Sequence, residues 1–349
     1  MESVYYREVA CESPKQMPMD AHTLLCHLRE SGRIRSSDAA VIPLTGGVSS
    51  GIWLVTDGSN RFVVKQALPR LKVAAEWFAD PARNRIEHDC LAYLDRITPG
   101  SVPRILFHDA EAGLFGMEFL DESFANWKTE LLRGAAREED AARAAQLTAR
   151  IHRASWSDAE VQSRFQTWPN FFALRVEPYL LTTGSRHPKL RPMFEEEAER
   201  LGQTTLALVH GDFSPKNILR SRERLVLLDC EVAWFGDPAF DVAFLLNHLF
   251  LKALHLPAWR EDLLGLASVC RSEYRRALAD RFDEGLNLRI GRLLLMLMLA
   301  RMDGKSPVEY ITVERNKSLV RDFVGTMLPA STFALEEIAS GWRRSLATL

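Results

Sequence analysis

The stretch His210-Gly-Asp-Phe-Ser-Pro-Lys-Asn217, together with Leu228-Asp-Cys-Glu231 a few residues on, decides how the rest of the chain is read. Each is entered by a short apolar run, Leu206-Ala-Leu-Val-His210 and Arg224-Leu-Val-Leu-Leu-Asp229, with the length and content of a buried strand. Two such strands paired would bring a loop Asp, a loop Asn and a strand-end Asp to one edge of a sheet. Asp212, Asn217, Asp229 and Glu231 all offer hard oxygen atoms, the donors magnesium prefers. Glu231 follows Asp229 by two residues, so on a strand both side chains share a face.

The spacing from Asp212 to Asn217 equals the D-x-x-x-x-N of the protein-kinase catalytic loop. The chain then continues through Trp234-Phe-Gly-Asp-Pro-Ala-Phe-Asp241. The ordered set H-G-D-x-x-x-x-N, D-x-E and G-D-P-x-x-D resembles the aminoglycoside phosphotransferase and choline kinase superfamily. That resemblance implies an α+β, bilobal protein-kinase-like fold. A small β-rich nucleotide-binding lobe is expected over residues 1–120, and a larger helical lobe for catalysis and substrate over 121–349. It also implies ATP and Mg2+, with Asp212 as the catalytic residue that orients or deprotonates the acceptor hydroxyl and Asn217, Asp229 and Glu231 as metal ligands.

Toward the N-terminus, Pro43-Leu-Thr-Gly-Gly-Val-Ser-Ser-Gly51 is a glycine-rich turn ahead of an expected hairpin, with strands at 52–56 and 61–65 across Asp57-Gly-Ser-Asn60. Without a Cβ, glycine lets backbone N–H groups approach a polyphosphate. Gly46, Gly47, Ser49 and Ser50 are therefore candidate nucleotide contacts, although a plain hairpin loop would look the same. Lys65 ends the second strand, where a kinase lysine reaches the α- and β-phosphates. Its expected partner is Glu87, on a helix predicted over 81–95 and matching the family's E-x-x-x-L pattern; Glu76 and Asp89 are the competitors. A strand over 113–120 leads into the hinge, where Glu118 and Leu120 are implied by position to meet adenine through backbone atoms.

Beyond the hinge, helices are predicted over 138–152, 241–254, 259–278 and 284–302, with two more after residue 313 separated by Pro329. His152 and His210 are read as supports of the catalytic loop, Asp237 as a turn cap and Asp241 as a brace. Lys216 reads equally as a γ-phosphate contact or a solvated charge.

Composition narrows the class. The 349 residues are 47% hydrophobic, ample for sizeable cores. A formal net charge of -2 supplies no basic field for nucleic acid or an anionic membrane. The five cysteines, Cys11, Cys26, Cys90, Cys230 and Cys270, contain no Cys-x-x-Cys pair and favour a reducing, cytoplasmic location. The apolar run between Arg292 and Arg301 is too short to span a bilayer, and the start does not read as a signal peptide. The expected partners are a nucleotide and a small hydroxyl-bearing substrate, with a homodimer left open.

For the acceptor, Val64-Lys-Gln-Ala-Leu-Pro-Arg-Leu-Lys-Val73 and the post-hinge segment 117–134, with its tryptophan and short helix, resemble the methylthioribose kinase family. The catalytic segments depart from that family's H-G-D-L-H-x-G-S and D-P-E and read as the broader small-molecule kinases. Arg301-Met-Asp-Gly-Lys-Ser-Pro-Val-Glu309 mixes charges in a way that suits a neutral or anionic polyol, with Arg301 and Lys305 as substrate contacts. A capped, solvated turn is the plainer account of that segment. The rival readings are an aminoglycoside or amino-alcohol phosphotransferase, whose polycationic substrates call for converging carboxylates, and a catalytically inert nucleotide-binding module.

Overall fold

The computed structural model describes residues 18–44, 50–68, 83–331 and 333–349. Helix α1 (Ala21–Glu30) is capped by Asp20, whose carboxylate accepts the Thr23 amide at 2.7 Å. A five-stranded antiparallel sheet follows, built from β1 (Ala40–Pro43), β2 (Ser50–Asp57), β3 (Asn60–Ala67), β4 (Ile105–Asp109) and β5 (Leu114–Glu118), in the order β1-β2-β3-β5-β4. The expected hairpin is β2–β3, in register from Ser50 opposite Ala67 to Asp57 opposite Asn60. Its alternation puts Trp53, Val55, Phe62 and Val64 on Leu24 and Leu28 of α1, a small core of its own.

Helix α2 (Arg83–Ile97) joins the middle of this sheet to its outer strand β4. Its Cys90, Leu91, Tyr93 and Leu94 pack into the large second core, so this helix ties the sheet to the helical part of the molecule.

After β5 come a short strand β6 (Ala125–Asn126) and helices α3 (Trp127–Leu132), α4 (Glu138–Ala154), α5 (Ala159–Arg164) and α6 (Trp168–Phe171). Next, Phe172–Leu181 winds as a π-helix containing Pro178, and leads into α7 (Thr182–Arg186) and α8 (Arg191–Gln203). The catalytic segments rest on four short strands: β7 (Ala207–Val209), β8 (Ile218–Arg220), β9 (Leu225–Leu227) and β10 (Trp234–Gly236). β7 pairs antiparallel with β10, while β9 pairs with β8 and β8 with β6. The two apolar runs read as neighbouring strands are thus in separate small ladders. The loop Asp and the strand-end Asp meet across those ladders rather than along one sheet edge.

Helices α9 (Ala239–His255), α10 (Arg260–Leu278) and α11 (Glu284–Asp303) lie within a residue or two of the expected spans, and α12 (Glu314–Met327) and α13 (Leu335–Leu346) are the two expected after residue 313, on either side of Pro329. α9 is buried along nearly its whole length and α11 through its central run, residues 293–300, where both are largely apolar. No helix among the described residues is long and apolar enough to cross a membrane.

Candidate active site

His210-Gly-Asp-Phe-Ser-Pro-Lys-Asn217 forms a loop fixed from below by α9. Asp241, in the first turn of that helix, accepts the amides of His210 at 2.7 Å and Gly211 at 2.9 Å. His152, fully buried, bonds Asp241 at 3.2 Å and the Tyr274 hydroxyl at 2.9 Å. His210 donates from Nε2 to the Leu228 carbonyl at 3.0 Å, and its Nδ1 lies 3.1 Å from the Asp212 amide, so it links the two catalytic segments. Gly211 has φ +77, and a Cβ there would lie 2.7 Å from the Val232 carbonyl oxygen. Only glycine suits both the backbone angle and the close approach.

Asp212 is buried, and two cations hold its carboxylate: Arg175 at 3.1 Å and Lys216 at 2.9 Å. Burial works to raise its pKa, but Lys216 and Arg175 outweigh it and the carboxyl is held below its ordinary value. Arg175 comes from the π-helix and also donates to the Gly211 carbonyl at 2.5 Å. It was not foreseen, yet an arginine inside Phe-Ala-Leu-Arg-Val-Glu-Pro-Tyr-Leu-Leu, residues 172–181, is a visible anomaly, since a cation in an apolar segment needs a buried partner. Single π-helical turns recur at functional sites. Asn217 donates from Nδ2 to the Asp212 carbonyl at 3.0 Å, which leaves Oδ1 as the atom it can offer outward. Its carbonyl accepts the Leu228 amide at 2.8 Å, placing it beside the strand end that carries Asp229.

Lys65 joins the sheet to this centre. Its ammonium lies 2.6 Å from Glu87 and 2.5 Å from Asp229. Burial alone would lower its pKa; Asp229, Glu87 and Glu231 outweigh that and raise it, so the lysine stays charged. Burial likewise works to raise Asp229, but Lys65 and then Lys216 dominate and pull it well below the ordinary carboxylate range. Asp229 has φ +67, a left-handed conformation that strains a non-glycine residue. Glu231 is held by the buried Arg83 at 3.0 Å, an ion pair that the sequence reading lacked.

Glu87, Asp229 and Glu231 bring carboxylate oxygens within 4.8 Å of one another. Burial pushes Glu87 up to about 8 against the pull of Lys65, and its buried Oε2 has no partner among the described residues. Every donor in the group is an oxygen. The group therefore fits magnesium. Glu87 joins the expected Asp229 and Glu231 in this trio of carboxylates, while the expected Asn217 lies on the loop bonded to the segment that carries Asp229.

Other expected positions fare unevenly. Gly46, Gly47 and Ser49 lie outside the described residues, as does the competitor Glu76. Ser50 is buried, and its Oγ has no hydrogen-bond partner among the described residues. Asp89, the other competitor for Lys65, instead meets Arg85, His88 and Arg164. At the hinge, the Glu118 amide donates to the Arg104 carbonyl at 2.9 Å and its side chain pairs with Arg224 at 2.9 Å, so it has no N–H to give a base. Lys305 pairs with Glu177 at 2.7 Å, each more than a third exposed, a surface ion pair. Arg301 bonds the Tyr179 hydroxyl at 3.0 Å, and the Tyr179 ring lies 5.7 Å from the Arg175 guanidinium carbon. Asp237 is fully buried, caps Ala239 and binds Arg200 at 2.6 Å and Arg289 at 2.9 Å, as a structural anchor would.

Comparison with known proteins agrees with this geometry. The pattern of the phosphotransferase enzyme family matches residues 40–279. Methylthioribose kinase of Pectobacterium carotovorum subsp. carotovorum (strain PC1) is 26% identical over 227 residues, 57% of this chain and 56% of that protein. The same enzyme of Yersinia pestis (strain Pestoides F) is 26% identical over 229 residues, 58% and 56% of the two chains. The chain thus spans just over half the length of these curated relatives. Among solved structures, a choline/ethanolamine kinase family protein from Mesorhizobium loti superposes with TM-score 0.52 at 14% identity, over 87% of this chain and 92% of that one. Choline kinase from Cryptosporidium parvum Iowa II gives TM-score 0.52 at 15% identity, over 94% and 95%. These likenesses establish the bilobal protein-kinase-like fold.

Proposed function

This chain belongs to the phosphotransferase enzyme family, and we propose that it transfers the γ-phosphoryl group of ATP to a hydroxyl of a small sugar-like or polyol substrate of the methylthioribose type, uncharged or anionic. The observation that carries the reading is Lys65 bridging Glu87 and Asp229 beside a braced Asp212 loop. In this scheme Lys65 holds the nucleotide phosphates, while Glu87 fixes the lysine's direction. Asp212 orients the acceptor hydroxyl and takes its proton, and Arg175 and Lys216 keep that carboxylate ionised and aimed. Asp229, Glu231 and Asn217 would hold magnesium, with Glu87 near enough to contribute; when bound, the metal shields the charge of the nucleotide phosphates.

The cations facing Asp212 weigh against a polycationic aminoglycoside, and the complete set of Lys65, Asp212, Asn217 and Asp229 weighs against an inert module. The test is ADP formation from Mg·ATP with a panel of sugars, polyols, sugar acids, amino alcohols and aminoglycosides. Phosphorylated sugar or polyol is the expected product. Efficient phosphorylation of kanamycin with sugars and polyols inert overturns the acceptor class, and absence of Mg·ATP binding overturns the phosphotransferase reading itself.

A further inference from the structure

Along α9, Asp241, Phe244, His248 and Lys252 recur at three- and four-residue intervals and share one stripe of the helix. The first of them braces the catalytic loop. The last is a lysine with no exposed surface. Among the described residues Lys252 has no carboxylate at ion-pair distance. Its one hydrogen bond is a long contact, 3.5 Å, to the His248 carbonyl of its own helix, and the Tyr310 ring lies 5.0 Å from its ammonium. A buried ammonium without a counter-charge is costly, and a hydrophobic side chain of similar size would be the better scaffold residue.

Its surroundings are cationic as well. His248 is buried, and burial first, then the charges of Lys252, Arg301, Lys216 and Lys128, oppose its protonation. Arg301 bonds Tyr179 and Ser306 through Nη1, but its buried Nε has no partner among the described residues, nor has the buried Tyr310 hydroxyl. Burial works to raise the Tyr179 hydroxyl, yet Arg301 and Arg175 outweigh it and lower its pKa. Glu309 is the carboxylate that acts on Lys252, and it is already paired with Lys128. Lys216, 2.9 Å from Asp212, joins this group of cations to the catalytic loop.

We infer that the acceptor carries an anionic group, a carboxylate or a phosphate, which seats among Lys252, His248 and Arg301 while the acceptor hydroxyl is presented to Asp212. The unsatisfied donors of Lys252, Arg301 Nε and the Tyr310 hydroxyl then find oxygen acceptors together, and the ligand brings the missing negative charge. This rests on the phosphotransferase reading and narrows its acceptor from uncharged or anionic to anionic.

The test measures thermal stabilisation of the full chain by D-gluconate, D-ribose 5-phosphate, ribitol, methylthioribose and kanamycin. A saturating non-hydrolysable ATP analogue with magnesium is present throughout, so that an anion cannot act by filling the phosphate site. The analogue's own stabilisation is recorded first and reports the nucleotide site independently. The expected result is binding of gluconate or ribose 5-phosphate at least tenfold tighter than of ribitol or kanamycin; which of the two anions wins distinguishes carboxylate from phosphate. In Lys252→Met, and in Arg301→Gln as a second variant that leaves α9 untouched, the anion's affinity is expected to fall tenfold or more, with the analogue's shift retained. Equal binding of neutral and anionic probes, no binding of either anion, or undiminished anion binding in both variants overturns the inference while leaving the kinase reading intact. Loss of the analogue's own shift in the wild-type protein would instead strike at the kinase reading.

Discussion

Arg175 Nη2 lies 3.1 Å from Asp212 Oδ2 although the two belong to different elements, a π-helix and the loop after β7. The same guanidinium donates to the Gly211 carbonyl, so it fixes the loop backbone and the carboxylate in one contact. Lys216 approaches the same carboxylate oxygen at 2.9 Å, and the two cations keep a buried acid ionised. An ionised, aimed carboxylate is what hydroxyl activation requires.

Asp212→Asn is expected to retain Mg·ATP binding while lowering kcat by roughly 100- to 10,000-fold, the usual worth of a positioned acid–base group. Calorimetry with the nucleotide and initial-rate kinetics check the two halves separately. Near-normal turnover would remove Asp212 from the mechanism.

Arg175→Met is expected to lower kcat with little change in KM for ATP. It is also expected to move the acidic limb of the pH–rate profile upward. The sign follows from the contacts: Arg175 and Lys216 hold the Asp212 carboxyl below its ordinary value against burial, so losing one of them raises that pKa and activity falls away at a higher pH. A lowered kcat with an unmoved profile would mean that Arg175 supports only the backbone.

Asp229→Ala is expected to abolish magnesium-dependent nucleotide binding more severely than Glu231→Ala, read by calorimetry with magnesium titrated in. Glu231→Ala should show instead in Tm, because it removes the carboxylate 3.0 Å from the buried Arg83. Equal nucleotide binding by both variants would place the metal elsewhere.

Asp237→Ala removes a fully buried carboxylate shared by Arg200 and Arg289, together with the cap on Ala239. Breaking such a network by deleting one partner costs about 3–5 kcal/mol, and a marked fall in Tm is expected. A Tm unchanged from wild type would show that the two arginines find other partners.

Burial, followed by Lys128 and Arg301, pushes the Lys252 ammonium down to about 7, with Glu309 opposing. His248 and Tyr310 complete the groups that face it. The unfolded chain keeps the ordinary value near 10.5, so between pH 7 and 10.5 it binds more protons than the folded chain, and this group makes stability rise with pH there. Without acceptor, Lys252→Met is expected to be the more stable form at pH 7, by about 1–4 kcal/mol as for other buried charges replaced by apolar residues. Its Tm should rise less between pH 7 and 9.5 than that of the wild type. Thermal melts at those two pH values check both, and a destabilised Lys252→Met at pH 7 would show the ammonium to be satisfied.

The phosphotransferase signature and most of the elements lay in the linear order of residues. H-G-D-x-x-x-x-N, D-x-E and G-D-P-x-x-D are local motifs; glycine at 211 is dictated by its own φ and the nearby Val232 carbonyl. The long helices α9, α10 and α11 were legible because apolar content and caps are properties of consecutive residues. Less legible were α1, β1 and the run of helices from α5 to α8. The π-helix over Phe172–Leu181 in particular is held by packing against α7, α8 and α11, which no local pattern records. Tertiary structure alone decided the partners: Arg175 with Asp212, Arg83 with Glu231, Glu87 in the carboxylate trio, and Lys305 drawn off to Glu177. The physical reason is that a charge's meaning depends on what shares its low-dielectric surroundings. A sequence fixes which residues carry charge, but only the folded chain determines which of them meet and which, like Lys252, are buried with no counter-charge at ion-pair distance among the described residues.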